Sequence, residues 1–296
     1  MTDKKEFPEP LPLRKLLGPS FIILALGLGS GEIILWPYLT SKYGLGLVWG
    51  AMLGLTFQFF MNMEIERYAL ARGESVFVGL AKIFKFAPYW FILSTFLAWA
   101  IPGIIAASAK VFSSLIGISD FRFVAIVFLI LVGLILSSGT TVYGLMERIT
   151  RIILLIGSPF ILILAVLLSK PVDWVELGKG VAGIGQGFWL IPIGINLGVF
   201  LGAFAYSGAG GNLNLTQSIY VKEKGYGMGK YAQRISGLFR GKKDEKIKLE
   251  GQGFELTEKN VSRFREWWKR INLEHLIVFW GIGLVTILFL MLLAYS

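Results

Sequence analysis

A carboxylate lies inside an apolar, glycine-rich stretch near the start of this sequence. The stretch ALGLGSGEIILWP, residues 25–37, contains Glu32 together with Gly27, Gly29 and Gly31. A charge at the centre of a membrane helix costs about 2.5–3.5 kcal/mol on insertion scales. We therefore expect Glu32 to face a cavity or a partner, where it binds a cation or carries a proton. A neutral Glu32 hydrogen-bonded to a neighbouring helix is the structural alternative.

The three glycines indicate that this helix is broken. Each glycine costs about 1 kcal/mol relative to alanine in a helix interior. Close helix packing is one alternative explanation, but spacing by two residues distributes the glycines over different faces. An unwound segment explains all three, because non-helical backbone at membrane depth lines a cavity or is buried in protein. Glu32 then begins an outer half-helix, 33–39, where the helix dipole favours a negative side chain.

A second stretch repeats the pattern five spans later. AFAYSGAGGNLNLTQ, residues 203–217, changes from apolar to polar at a glycine cluster. Two broken spans at corresponding positions are typical of inverted-repeat secondary transporters, which bind their substrate between the breaks. The predicted site contains the side chains of Glu32 and Asn212 and the backbone carbonyls of Gly29 and Ala209. The hydroxyls of Ser30 and Ser207 are further candidate ligands.

The composition indicates an integral, multi-pass membrane protein. Hydrophobic residues make up 55% of the 296 residues and charged residues 16%, and the mean hydropathy is +0.67. The apolar runs predict seven spans, at 18–39, 46–63, 87–109, 122–138, 149–169, 188–220 and 274–295. There is no cysteine, and His275 is the single histidine, which excludes thiolate and multi-histidine metal sites.

The basic residues predict the orientation in the cell membrane. With a cytoplasmic N-terminus, only five of the 29 Lys and Arg residues lie outside, namely Lys42, Lys110, Arg122, Lys170 and Lys179. This is the positive-inside pattern, so the basic balance does not require a nucleic-acid partner. The predicted parts are a cytoplasmic tail (1–17), a first five-helix repeat (18–169), a broken helix 6 (188–220), a basic loop (221–273) and helix 7 (274–296).

Two interpretations concern charges and tryptophans near the inner face. TEKNVSRFREWWKR, residues 257–270, predicts an amphipathic helix whose Trp267 and Trp268 lie among lipid headgroups; a partner-binding helix is the alternative. Glu64, Glu66 and Glu147 are expected to be interfacial charges paired with arginine, since Arg67 and Arg148 stand beside them.

The sequence around both breaks resembles the Nramp family of proton-coupled divalent-metal transporters. GPSFIILALGLGSGEIILWPYLTSKYGLGLVW, residues 18–49, is similar to the family's first helix, which has Gly-Pro, the break motif Asp-Pro-Gly-Asn and an aromatic-Gly at matching spacing. YGLMERITRIILL, 143–155, resembles its link into helix 5, and AGGNLNLTQS, 209–218, stands where the family has Met-Pro-His-Asn. The resemblance implies an all-α, leucine-transporter-type fold of inverted five-helix repeats, with helices 1 and 6 broken and metal between them.

The ligands differ from those of the family. Of the first break motif only Gly31 matches, and Glu32 stands at the Asn position. In the second motif Ala209 replaces methionine, Gly211 replaces histidine and Asn212 matches, while Thr216 stands where the family has a further histidine. The remaining oxygen ligands are hard, which suits Mn²⁺, Mg²⁺ or Na⁺.

We expect a secondary transporter of a divalent metal cation, without a resident cofactor. One alternative is a sodium-coupled carrier of an organic solute, and another is a truncated, non-transporting membrane subunit. Because the resemblance covers helices 1–7 alone, a further C-terminal part would supply helices 8–10. An enzyme is not expected, because Leu28 and Glu32 occupy the glycine positions that a nucleophile elbow around Ser30 requires.

Overall fold

The computed structural model describes residues 5–12, 16, 18–138, 142–234 and 248–296. Parts of the predicted tail and of the predicted basic loop therefore lie outside the described residues. Two segments are π-helical: Ser30–Leu35 leads directly into α2, and Leu276–Ile282 joins α12 to α13. The helices and strands in chain order are α1 Pro19–Gly27, α2 Trp36–Tyr43, α3 Val48–Arg72, α4 Val76–Ile83, α5 Ala87–Trp99, α6 Gly103–Ile116, α7 Phe121–Ser138, α8 Val142–Leu168, α9 Pro171–Val181, β1 Ile184–Gly185, β2 Phe188–Trp189, α10 Leu197–Ala205, α11 Asn212–Lys224, α12 Glu258–His275 and α13 Gly283–Tyr295.

The chain is a mostly helical protein with helices of membrane-spanning length. Within the described residues, 4 helical stretches are long and apolar enough to cross a bilayer. They are Leu45–Arg72, which contains α3, Ala87–Ile116, which contains α5 and α6, Tyr143–Leu168, which lies in α8, and Glu258–Tyr295, which contains α12 and α13. They coincide with four of the seven predicted spans. The first predicted span is a pair of helices bent by 42°, which adds a fifth if counted as one, and the fourth is the shorter apolar helix α7.

The sixth predicted span differs most from the expectation. Residues 188–196 are not helical: β1 and β2 form an antiparallel hairpin, a small departure from an all-α chain. Pro192 has no backbone N–H to donate, and Gly194 adopts a φ of 81°, so neither supports a helix. Helix α10 begins after Asn196, whose side chain accepts the Val199 N–H at 3.1 Å.

Buried and exposed surfaces divide the helices into two groups. Helices α1, α3, α11 and α13 supply much of the buried core, including Leu24, Leu55 and Met291. By contrast, the apolar window of Ala87–Ile116 has no buried residue. A helix that faces lipid hydrocarbon presents exposed apolar side chains of this kind, because the lipid tails are as apolar as the side chains.

The N-terminal segment lies across the amphipathic helix α12. This helix is confirmed, but the headgroup position predicted for Trp267 is wrong, since its side chain is 1% exposed. The Trp267 indole N–H donates to the Pro8 carbonyl at 3.0 Å, and its ring lies 5.3 Å from that of Tyr226. The Phe7 N–H donates to Asn260. A segment 259 residues away in sequence therefore helps to bury the tryptophan.

Replacing this tryptophan tests its structural role. We expect Trp267→Ala to lower the free energy of unfolding by about 3–5 kcal/mol, the usual cost of truncating a buried tryptophan. Trp90→Ala is the matched control, because Trp90 is 64% exposed on α5. Unfolding in detergent measures both, and equal losses in the two variants would contradict the burial of Trp267.

A buried carboxylate joins α3, α4 and the segment before α12. Glu74 accepts hydrogen bonds from the Tyr68 hydroxyl at 2.7 Å, the Lys82 ammonium at 2.9 Å and the Gly251 N–H at 2.8 Å. Burial by itself would raise the pKa of Glu74, but these three donors together hold the pKa below its ordinary value of 4.5. The ionised form is therefore the one that the fold stabilises.

The free energy of unfolding should depend on pH through the ionisation of Glu74. A carboxyl whose pKa is lowered on folding stabilises the fold above its unfolded pKa, and this contribution is lost as the pH falls through the folded pKa. We expect the wild type to lose more stability than Glu74→Gln between about pH 6 and pH 3. Unfolding curves of both proteins across this pH range measure the difference. If wild type and variant lose the same stability as the pH falls, Glu74 has no such role.

Candidate functional site

The two helix breaks meet in the interior of the protein. A Cβ atom added to Gly27 would lie 2.8 Å from the carbonyl carbon of Gly208, and one added to Gly31 would overlap the Tyr206 carbonyl. No side chain larger than hydrogen fits at either position without displacing backbone. Helices end at both predicted positions, at Gly27 and at Ala205, and the glycines allow the two breaks to touch.

The backbone at both breaks leaves helical geometry. Helix α1 ends at Gly27, and the following turn leads into the π-helical segment. In the second break Gly208, Gly210 and Gly211 have φ values of 115°, 64° and 55°. These are left-handed conformations that glycine adopts without a steric penalty, so the cluster ends α10 and allows α11 to begin in a new direction.

Glu32 lies at the junction and is 2% exposed. Its Oε1 accepts a hydrogen bond from the Gly208 N–H, so it reaches the second break directly. Its Oε2 has no hydrogen-bond partner among the described residues. The bond to Gly208 is of the kind that the structural alternative predicted, whereas the second oxygen remains available to a ligand.

Gln58 on α3 satisfies the backbone of the second break from both sides. Its Nε2 donates to the Ala205 carbonyl at 2.8 Å, and its Oε1 accepts the Gly210 N–H at 3.2 Å. One amide thus replaces the helical hydrogen bonds that α10 and α11 lose there. Gln58 is not among the predicted ligands, although an amide within the apolar span 46–63 is a visible signal.

Two of the predicted hydroxyl and carbonyl ligands, Ser207 and Gly29, have other partners. The Ser207 hydroxyl donates to the Ala203 carbonyl at 2.9 Å and accepts the Trp36 indole N–H at 2.8 Å. The Gly29 carbonyl accepts the Ile33 N–H at 3.1 Å. Ala209 is 1% exposed and belongs to an apolar cluster, while the side chain of Ser30 lies outside the described residues.

Asn212 is directed to a different helix. Its Nδ2 donates to the hydroxyls of Ser94 at 2.8 Å and Thr95 at 3.0 Å, both on α5. It stands at the first residue of α11 as expected, but these bonds link the second break to α5 rather than to Glu32. Glu32, Gly208 and Gln58 therefore form the centre of the site.

The expected pairing of the three carboxylates with arginine is correct only in part. Glu64 pairs with Arg67 at 2.6 Å, and Glu147 pairs with Arg151 and with Lys224. Glu66 is 1% exposed and lies against Gln217 and His275 instead of an arginine. Its position on α3 directs it toward α11 and α12, which the neighbouring sequence does not reveal.

The described residues contain no group of three or more His, Asp or Glu side chains that could hold a metal ion. Comparisons with protein-family models, curated proteins and solved structures give no match to this sequence. The fold and the site define a helical, membrane-type protein with a buried carboxylate between two broken helices.

The contact between the breaks predicts which glycine substitution is harmful. We expect Gly31→Ala to destabilise the protein by about 1–3 kcal/mol, because the added methyl group forces the Tyr206 backbone to move. Gly202→Ala on α10 is the control, since its Cβ would come no closer than 4.0 Å to Leu35. Thermal unfolding in detergent measures both, and a tolerated Gly31→Ala would contradict the close approach.

Proposed function

We propose that this protein is an Nramp-like secondary transporter that moves a metal cation, bound between the two helix breaks. The observation that carries the proposal is a buried carboxylate with one oxygen that has no hydrogen-bond partner among the described residues, at a point where two helix breaks meet. Ionisable side chains in such positions mark ion pathways in membrane proteins, and broken helices of this kind form the sites of inverted-repeat transporters.

The ligand set favours a hard cation. Glu32 supplies one carboxylate oxygen. The Gly29 carbonyl accepts one N–H and keeps a second lone pair that a cation can use. Mg²⁺ and Mn²⁺ bind such oxygens and complete their coordination with water, and Na⁺ needs less charge from the protein. With a single carboxylate at this point, the candidates remain the three ions that the sequence indicates: Mn²⁺, Mg²⁺ and Na⁺.

Binding of a cation would act on the second break through Glu32. The carboxylate that meets the ion also accepts the Gly208 N–H. A cation and an N–H group compete for the same negative charge, so occupancy weakens or redirects the bond to Gly208. The ion thereby alters the contact between the two breaks, as a transporter that changes conformation with its substrate requires.

Neutralising Glu32 tests the site. The amide oxygen of Glu32→Gln still accepts the Gly208 N–H, so we expect the variant to fold, but a cation loses its charged ligand. Uptake of Mn²⁺, Mg²⁺ or Na⁺ into liposomes should fall about tenfold or more, since a lost charge contact costs more than about 1.4 kcal/mol. Glu64→Gln is the control, because Glu64 is an exposed partner of Arg67.

Unchanged uptake in folded Glu32→Gln protein would overturn the assignment of Glu32. An uptake assay with candidate organic solutes provides a second comparison. If a solute is taken up together with Na⁺ and neither Mn²⁺ nor Mg²⁺ competes, the solute-carrier alternative replaces metal transport.

A further inference from the structure

A second buried polar network lies among α1, α3 and α12, apart from the helix breaks. The Glu66 Oε1 lies 3.3 Å from the His275 Nδ1. The same Nδ1 lies 2.8 Å from the Ser20 Oγ, which donates to the Glu274 Oε2 at 2.5 Å. Four side chains thus form a continuous chain between two carboxylates.

All four side chains of this network are removed from solvent. The exposed fractions are 1% for Glu66, 4% for Glu274 and 0% for His275 and Ser20. Gln217 on α11 donates to Glu66 at 2.6 Å. Two ionised carboxylates at such depth are costly unless a proton or a cation compensates one of them.

The histidine is placed to act as a neutral bridge. Its ring stacks between Phe59 and Phe279, with centroid distances of 5.5 Å and 4.6 Å. Its Nε2 has no hydrogen-bond partner among the described residues. An imidazolium would bury an Nε2–H without a hydrogen-bond partner among the described residues, whereas a neutral imidazole with its proton on Nδ1 donates to Ser20 or Glu66.

The charged and titratable groups around the network lie on its α8 and α11 side. Lys224 acts electrostatically on Glu274 but bonds directly to Glu147 at 2.6 Å, which also pairs with Arg151. The phenols of Tyr143 and Tyr226 lie close enough to Glu274 to interact with it electrostatically. Both cations are thus already paired with Glu147, and neither bonds to Glu66 or Glu274 among the described residues.

We propose that Glu66, His275, Ser20 and Glu274 form a buried proton-binding site, in which the two carboxylates hold one proton and one negative charge between them. A proton on one carboxyl group removes the repulsion that ionisation of both would cause, so the imidazole can stay neutral between them. Strongly interacting buried acids titrate as a unit in this way. The proposal does not depend on transport, because none of these residues belongs to the helix breaks.

Proton binding at this site affects the hydrogen bonds by which α12 contacts the start of α1. Glu274 accepts the Gly18 N–H at 3.4 Å as well as the Ser20 hydroxyl, so α12 fixes the first turn of α1. On α3, Gln58, Asn62 and Glu66 are spaced by four residues and share one face. All three are buried, and this face connects the proton site with the second helix break.

The single histidine makes the first half of the test specific. Protein labelled with ¹⁵N-histidine gives one pair of ring signals, which report the tautomer and charge of His275. We expect a neutral ring with its proton on Nδ1 from about pH 8 to pH 5, a range in which an ordinary histidine becomes charged. A doubly protonated ring near neutral pH would overturn the proposal, because it indicates an ion pair instead of a shared proton.

Infrared difference spectra provide the second half. We expect a protonated-carboxyl band in the wild type at neutral pH that is lost in the double variant Glu66→Gln, Glu274→Gln and retained in Glu64→Gln. Loss in either single variant supports the proposal and identifies the carboxyl that holds the proton. A band that the double variant leaves unchanged, or no band, overturns it. The wild-type spectra and histidine signals remain decisive if a variant does not fold.

Discussion

The contact between the two helix breaks is the constraint on which the rest of the structure depends. Tyr206 and Gly208 approach Gly27 and Gly31 so closely that a methyl group would not fit. At membrane depth, the peptide groups released by two helix breaks need partners within the protein. Glu32 provides one from the first break, and Gln58 provides two from α3. The second break is therefore stable because the first break and α3 complete its hydrogen bonds.

The interior that results is polar along one line and apolar around it. The face of α3 that carries Gln58, Asn62 and Glu66 passes from the helix breaks to the network around His275. Apolar clusters surround this line, and the side chains of α5 to α8 are largely exposed and apolar. In such low-dielectric surroundings, a buried polar group without a partner costs free energy. The buried polar residues are thus the strongest candidates for function, in the breaks and in the proton site alike.

Much of the helical organisation could be predicted from sequence, because it follows from local composition. Apolar runs predicted four spans that the structure also has, glycine clusters predicted both breaks, and charge alternation predicted α12. The errors concern residues whose environment comes from elsewhere in the chain. Trp267 is covered by the N-terminal segment, and Glu66 meets Gln217 and His275. No pattern near either residue contains that information.

The sequence by itself determined that the chain is apolar and helical, that two of its segments break, and that Glu32 lies beside one break. These properties depend on the conformational freedom of glycine and on hydropathy, which act over a few residues. The tertiary structure alone decided that Glu32 meets Gly208, that Asn212 turns to α5, and that two distant carboxylates join through His275. Such partners lie more than 100 residues apart, and only the packing of whole helices brings them within hydrogen-bond distance.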